Sequence, residues 1–263
     1  MSDDSSADRS AKDLSREQFG ANYATSPVHA KGASLARMVE LAAPEADWHA
    51  LDIATAAGHT AFAFAPHVAS VTATDLTPEM VALATERATE LGHDNVSTQI
   101  ADAESLPFDD DAFDVLSCRI APHHFPNPGT FVGEVARVLR PGGVFVMVDN
   151  IVPNDEEVAA TYNAWEKRRD PSHVRALSLE EWVDHCRAAS LDIRTTETAK
   201  KRMGFDFWVN NMSVPDELRP GLLDDLLHAD DDVKAFLEPE GSTADDAAFY
   251  LTEGLVVAVA GCF

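Results

Sequence analysis

The stretch Leu51-Asp52-Ile53-Ala54-Thr55-Ala56-Ala57-Gly58-His59 holds the first residues suited to chemistry. An apolar run carrying one acid ends there on small side chains. Small residues let a backbone approach a ligand closely, and a helix starting just beyond aims N–H groups at the ligand's polar end. Asp75 follows 17 residues after Gly58, closing the β-branched run Ser70-Val71-Thr72-Ala73-Thr74. A carboxylate at such a strand end is placed to accept hydrogen bonds from ribose hydroxyls. Together these features point to an adenosine-containing cofactor. A dinucleotide fingerprint would run G-x-G-x-x-G; counted from Ala54, its third glycine falls on His59. The small residues run Ala54, Ala56, Gly58 instead, which disfavours a nicotinamide-dependent oxidoreductase.

His123 and His124 follow another strand-like run, Phe113 to Cys118. Either imidazole suits a general base or a substrate ligand, and either suits a structural loop hydrogen bond. His173 and Arg175 share a polar cluster with Asp170. They are placed to bind an acidic group on a substrate, or to cap and brace the helix expected from Leu179. His123, His124, His173 and Asp149 are metal-ligand types, but their positions match no recognised ligand spacing, so no metal is expected. Trp165, Trp182 and Trp208 read as core packing or an apolar lid over a site.

These residues need elements to hold them. From His49 the chain alternates strand-like and helix-like segments. Ala50 to Ala54, Ser70 to Thr74, Asn95 to Ile100, Phe113 to Cys118 and Val144 to Val148 read as strands. Thr77 to Leu91 reads as a helix, with Thr77 as its cap, Pro78 in its first turn and Met80, Leu83 and Ala84 opening an apolar face. Phe131 to Leu139 is a second helix, stopped by Pro141-Gly142-Gly143. This rhythm predicts an α/β fold with a doubly wound, mostly parallel sheet. Such sheets bind ligands at the carboxyl ends of their strands, where strand order reverses. Helices are expected over Leu14 to Tyr23, His29 to Leu41, Asp155 to Arg169 and Leu179 to Ser190. Leu191 to Thr196 and Ala248 to Gly261 are further strands, with a helical cap or insertion over Phe205 to Ser242. Residues 1–12 read as a disordered leader. Residues 13–263 read as one domain: N-terminal helices (13–45), a cofactor-binding core (46–150) and a substrate-side part (151–263).

Asp52 before Ala54, Ala56 and Gly58 resembles motif I of the class I S-adenosylmethionine-dependent methyltransferases. Thr74-Asp75-Leu76-Thr77 resembles their ribose-binding strand end, and Ala101-Asp102-Ala103-Glu104 before Leu106-Pro107-Phe108 their adenine-binding turn. Phe113-Asp114-Val115 to Arg119-Ile120 resembles motif IV, and Leu139-Arg140-Pro141-Gly142-Gly143 the turn before the fifth strand. The likeness covers roughly Phe19 to Asn150. The chain is most similar to the ubiquinone/menaquinone-biosynthesis-like (type 11) subgroup through three pieces. They are Tyr23 with His29-Ala30-Lys31-Gly32, Arg119 to Phe125, and Arg169 to Arg175.

The resemblance implies a seven-stranded Rossmann-like sheet and S-adenosyl-L-methionine as cofactor, with S-adenosyl-L-homocysteine as product. It implies that the backbone from Ala54 to Gly58 meets the methionine part. Asp52 fixes that turn or reaches the cofactor's amino group. Asp75 takes the ribose hydroxyls, Leu76 packs on adenine, and Asp102 accepts from the adenine amino group, with the Ala103 N–H nearby. Arg119 lines the floor, and Tyr23 and Lys31 close over the cofactor, Lys31 being equally suited to a solvated helix position. The family usually has glycine where this chain has Ala54 and Ala56. Either those alanines take ordinary dihedrals or cofactor affinity is reduced, which leaves a weakly active cofactor-binding protein as a rival reading. The acceptor implied is a small phenolic or quinone-like metabolite, methylated on carbon or oxygen. Methyl transfer needs mainly positioning and desolvation, and a base only where the nucleophile must first lose a proton.

Composition narrows the partners. Among 263 residues, 45 Asp and Glu face 20 Lys and Arg, a net charge of -25. That opposes binding to nucleic acid or an anionic membrane. Base-amino methyltransferases tend to carry Asn/Asp-Pro-Pro-aromatic where this chain has Arg119-Ile120-Ala121-Pro122. The acids are 27 Asp and 18 Glu, and the cations are 14 Arg and only 6 Lys. This make-up predicts a halophilic protein whose self-repulsion is screened by salt. Its melting temperature should rise with KCl; maximal stability without salt would refute the adaptation. Cys118, Cys186 and Cys262 form no CxxC pair, which fits a reducing compartment. No apolar run is long enough for a signal peptide or a membrane span, so a cytoplasmic monomer or homodimer is expected.

Overall fold

Alternating β-branched and amphipathic stretches settle into one sheet flanked by helices. A computed structural model describes residues 12–14 and 33–261. The order is α1 (Ala33–Ala42), β1 (His49–Ile53), α2 (His59–Phe64), β2 (Ser70–Asp75), α3 (Pro78–Leu91), β3 (Val96–Ile100), β4 (Phe113–Arg119), α4 (Pro128–Val138) and β5 (Leu139–Ile151). Then come α5 (Glu156–Arg169), α6 (Leu179–Ala188), β6 (Leu191–Gly204), α7 (Phe205–Asn211), α8 (Arg219–Leu227), α9 (Asp231–Leu237) and β7 (Ala248–Ala260). The seven strands lie in the order β3-β2-β1-β4-β5-β7-β6. The first five run parallel, and β7 is antiparallel to both β5 and β6. This is the doubly wound, mostly parallel sheet expected. The strand order reverses between β1 and β4, which makes their carboxyl ends the place for a ligand.

Period-two alternation sorts the core onto two faces. Leu51, Ile53, Leu116, Cys118, Phe145 and Met147 pack under Phe131 and Val135 of α4 and Trp182 of α6. Ala50, Val71, Val115, Val144 and Val146 face Met38 of α1, Phe64 of α2 and Ala88 of α3. A third cluster lies beyond the carboxyl end of β5, where α5, α7, α8 and α9 meet the start of β7. Its centre is Trp165 stacked on Trp208 at 4.1 Å, with Phe249 edge-on to both. The cap expected between the last two strands is thus three helices, α7 to α9.

Two boundaries differ from expectation. The sixth strand runs to Gly204, because β7 offers it a partner along its whole length, up to the Gly204–Ala248 pair. Its charged stretch Lys200-Lys201-Arg202 is tolerated because an edge strand is paired on one side only. The fifth strand begins at Leu139, so Pro141 to Gly143 lie within it. The expected helix from Leu14 to Tyr23 lies almost wholly outside the described residues, apart from a helical turn at 12–14. Among the described residues no helix is long and apolar enough to cross a membrane.

Candidate active site

The turn after β1 is built on left-handed residues: Ala54 at φ 55°, Ala56 at 47° and Gly58 at 85°. The Thr55 N–H donates to the Thr74 carbonyl (2.8 Å) and the Gly58 N–H to the Thr55 carbonyl (2.9 Å). Asp52 is buried beneath. One of its oxygens accepts from the Thr55 hydroxyl (2.6 Å) and the Ala61 N–H (3.2 Å), the other from the Ser117 hydroxyl (2.7 Å). Burial pushes its carboxyl up to about 6, against the pull of these hydroxyls and of Arg119. Asp52 does not line the cleft above the turn. Of its two expected roles, the geometry is that of fixing the turn.

The alanines do not take ordinary dihedrals, which removes one of the two alternatives drawn from the sequence. A left-handed L-residue costs about 1–2 kcal/mol. Glycine would relieve that strain while losing about 0.4–1 kcal/mol through the freer unfolded chain. Ala54→Gly and Ala56→Gly should therefore each stabilise the fold by about 0.5–1 kcal/mol. Urea denaturation checks this, and a loss of stability at both sites would contradict the strain.

The turn forms one wall of an open cleft of about 980 Å³ at the β1/β4 reversal. Asp75, 9% exposed, stands at its centre. One carboxylate oxygen accepts from the Ala56 N–H and the other from the Thr77 N–H, each at 2.9 Å. Burial raises its pKa while these N–H groups oppose the rise. Thr77 takes the cap position of α3 without a side-chain cap bond. Leu76 and Met80 form an apolar wall; Asp102, Ala103 and Glu104 close one end. Arg119 reaches the cleft with its Nε donating to the Thr60 hydroxyl at 3.2 Å. Ile120, a β-branched residue at φ 52°, is held left-handed beside it, its N–H donating to the Val148 carbonyl.

Two cleft residues escaped the sequence reading. Lys12 bridges Asp102 (2.6 Å) and Glu104 (2.8 Å) across 90 residues of chain. A lone lysine in a polar leader carries no local signal of that. His59 lines the cleft and is pushed down to about 4 by burial and by Arg87 and Arg119. Tyr23 and Lys31 lie outside the described residues.

Beside the cleft is a second, partly open cavity below the helical cap. Ile120 and His124 line both spaces. His123 lines the second only, its Nδ1 2.6 Å from an Asp149 oxygen. The His124 Nδ1 meets the Ser172 hydroxyl (3.2 Å), which donates to Asp170 (2.6 Å). Burial and the neighbouring His123 push His124 down to about 3. Arg169, Asp170, Lys201, Phe207 and Trp208 complete much of the wall.

His173 and Arg175 line neither space. His173 is buried, its Nε2 at 2.8 Å from the Asn163 side-chain oxygen, and burial with the two other histidines pushes it down to about 2. Arg175 is paired at the surface with Glu181 (2.6 Å). Glu181 and Ser178 form the capping box of α6. The expected substrate contact is corrected to the other role the sequence left open. The N–H groups of Val174 and Arg175 donate to the His123 carbonyl and so dock this motif on the histidine loop.

Residues 51–147 match the methyltransferase domain family. Over 212 residues the chain is 39% identical to the uncharacterized methyltransferase YcgJ of Bacillus subtilis (strain 168), covering 81% of this chain and 84% of that protein. This chain belongs to the class I S-adenosylmethionine-dependent methyltransferases. The crystal structure of the Bacillus subtilis protein superposes with a TM-score of 0.85 at 35% identity, covering 88% of this chain and 99% of that one. A putative methyltransferase from Bacillus halodurans C-125 gives 0.84 at 34%, covering 88% and 100%. A demethylmenaquinone methyltransferase of Clavibacter sepedonicus is 34% identical over 167 residues, 62% of this chain and 67% of that protein. For a methyltransferase, the two adjoining spaces are the feature with chemical content. A donor in one and an acceptor in the other would meet at the wall of Ile120 and His124.

Proposed function

We propose that this methyltransferase moves a methyl group from S-adenosyl-L-methionine to a small molecule held in the second cavity. A phenolic or quinone-like metabolite, methylated on carbon or oxygen, is the acceptor we favour. That Ile120 and His124 line both cleft and cavity carries this reading. The cleft's residues fit the cofactor. Asp75 offers acceptors for ribose hydroxyls. Leu76 and Met80 offer an apolar face for adenine, with Asp102 to accept from its amino group and the Ala103 N–H to donate to a ring nitrogen beside it. The left-handed turn brings backbone close to the methionine part, and Arg119 forms the floor. Lys12 would close the adenine end. The demethylmenaquinone relative supports the acceptor class. When bound, the cofactor supplies an activated methyl group, so the protein's part is to orient, exclude water and manage a proton.

A second reading is a cofactor-binding protein of low turnover, favoured by the alanine methyl groups at positions 54 and 56 of the turn. Calorimetric titration with S-adenosylmethionine should show binding, and labelled-methyl transfer to a panel of quinols, phenols and small amines should show turnover. Absence of binding would sink both readings. Binding without turnover on any member would favour the second.

A further inference from the structure

We propose that Asp149 and His123 form a proton-accepting pair, and that the acceptor is therefore a weak acid, a phenol or an enol, which gives up its proton at His123 Nε2. The proposal rests on the reading of the second cavity as the acceptor site. Asp149 lies on β5 with no exposed surface. One of its oxygens is 2.6 Å from His123 Nδ1, and the other has no hydrogen-bond partner among the described residues. A buried carboxylate left half satisfied is costly, and such groups are uncommon without a role. Here it directs negative potential onto one imidazole. With Nδ1 engaged, Nε2 is the ring nitrogen left to address the cavity that His123 lines.

The surroundings assign the proton to this ring. His124 and His173 lie 4.2 and 5.5 Å from His123, centroid to centroid, and burial beside it keeps both neutral. Burial opposes charge on His123 as well, but Asp149 first, then Asp170 and Glu166, more than offset it and raise its pKa. The cavity is also a suitable home for an anion in a chain of net charge -25. Arg169 and Lys201 line it, held by Glu166 at 2.9 Å and Glu253 at 3.2 Å. Phe207, 37% exposed, gives an aromatic side chain against which a ring can lie.

The balance is simple. The acceptor's O–H bond breaks and its proton passes to His123 Nε2. The acceptor's oxygen, or its conjugated carbon, forms the new bond to the methyl group. The donor's S–CH3 bond breaks as the new bond forms, and its electron pair stays on the sulfur. Where carbon is methylated, its own hydrogen leaves afterwards as a proton, restoring conjugation. Asp149 compensates the imidazolium and positions it, without touching the acceptor.

The probe is 4-nitrophenol, whose phenolate is yellow. It is titrated into the full-length protein saturated with S-adenosylhomocysteine, at a pH below the free phenol's own pKa. Wild type should bind it as the phenolate. His123→Gln should cut the phenolate band at least tenfold while S-adenosylhomocysteine still binds. Asp149→Asn, which keeps shape, should move the band's pH midpoint upward, toward that of the free phenol, which a merely structural role would not do. A probe that binds wild type as the neutral phenol or not at all, or a band unchanged in His123→Gln, overturns the pair. If one variant fails to fold, the other decides. Failure of wild type to bind S-adenosylhomocysteine would instead overturn the cofactor reading beneath it.

Discussion

Asp75→Ala should weaken S-adenosylmethionine binding by about 10²–10³-fold, the largest effect expected at the cleft. Its carboxylate is nearly buried and is held by the N–H groups of Ala56 and Thr77. Ribose hydroxyls would share this carboxylate with those N–H groups and with Thr77's side chain, and a hydrogen bond to a charged group contributes about 1.5–3 kcal/mol. Two such bonds, partly offset by water returning to the site, amount to about 3–4 kcal/mol, which sets the fold-change. The same change releases the Ala56 N–H and loosens the turn. A 2′-deoxy cofactor analogue separates the two effects: wild type should discriminate against it and Asp75→Ala should not. Calorimetry is the measurement, and unchanged affinity would mean that the ribose assignment is wrong.

The largest loss of stability should come from Asp52→Ala. The hydroxyls of Thr55 and Ser117 and the Ala61 N–H would lose their acceptor together in the core. A stranded buried donor costs about 1–3 kcal/mol, so about 3–5 kcal/mol is expected after relaxation. At about 2–4 °C per kcal/mol the melting temperature should fall by about 10 °C or more. The effect has a pH signature. Burial lifts the Asp52 carboxyl from 3.8 to about 6 in the folded chain. Between those values the native state holds the extra proton, so this contribution is complete below 3.8 and is lost as pH rises through 6. The gap between wild type and variant should therefore be wider near the acid end of that window than above it. Chemical denaturation at the two pH values checks this; a gap that widens with pH would refute the assignment.

Much of this architecture was legible because its signals are local. The run into Ala54, Ala56 and Gly58 and the acid at Asp75 each report on a few neighbouring residues. Strand and helix periods made the parallel core and the cap between the last two strands readable. What stayed hidden depends on distance. His173 and Arg175 have residue types that suit a substrate, yet one is buried against Asn163 and the other pairs with Glu181 at the surface. Asp149 was set beside His123 only as a metal-ligand type, because a separation of 26 residues carries no sign that the two side chains meet.

The sequence by itself determined the family's sheet, the small-residue turn after β1 and the acid beside it, since side-chain period and backbone permissiveness act within a few residues. Only the tertiary structure decided that Ala54 and Ala56 bear left-handed strain, that Lys12 reaches Asp102, and that His123 and His124 part company. Those outcomes follow from which strand ends meet at the reversal between β1 and β4, and from how much water the cap removes around them. Burial and long-range pairing set the proton affinities there, and neither is a property of any short stretch of chain.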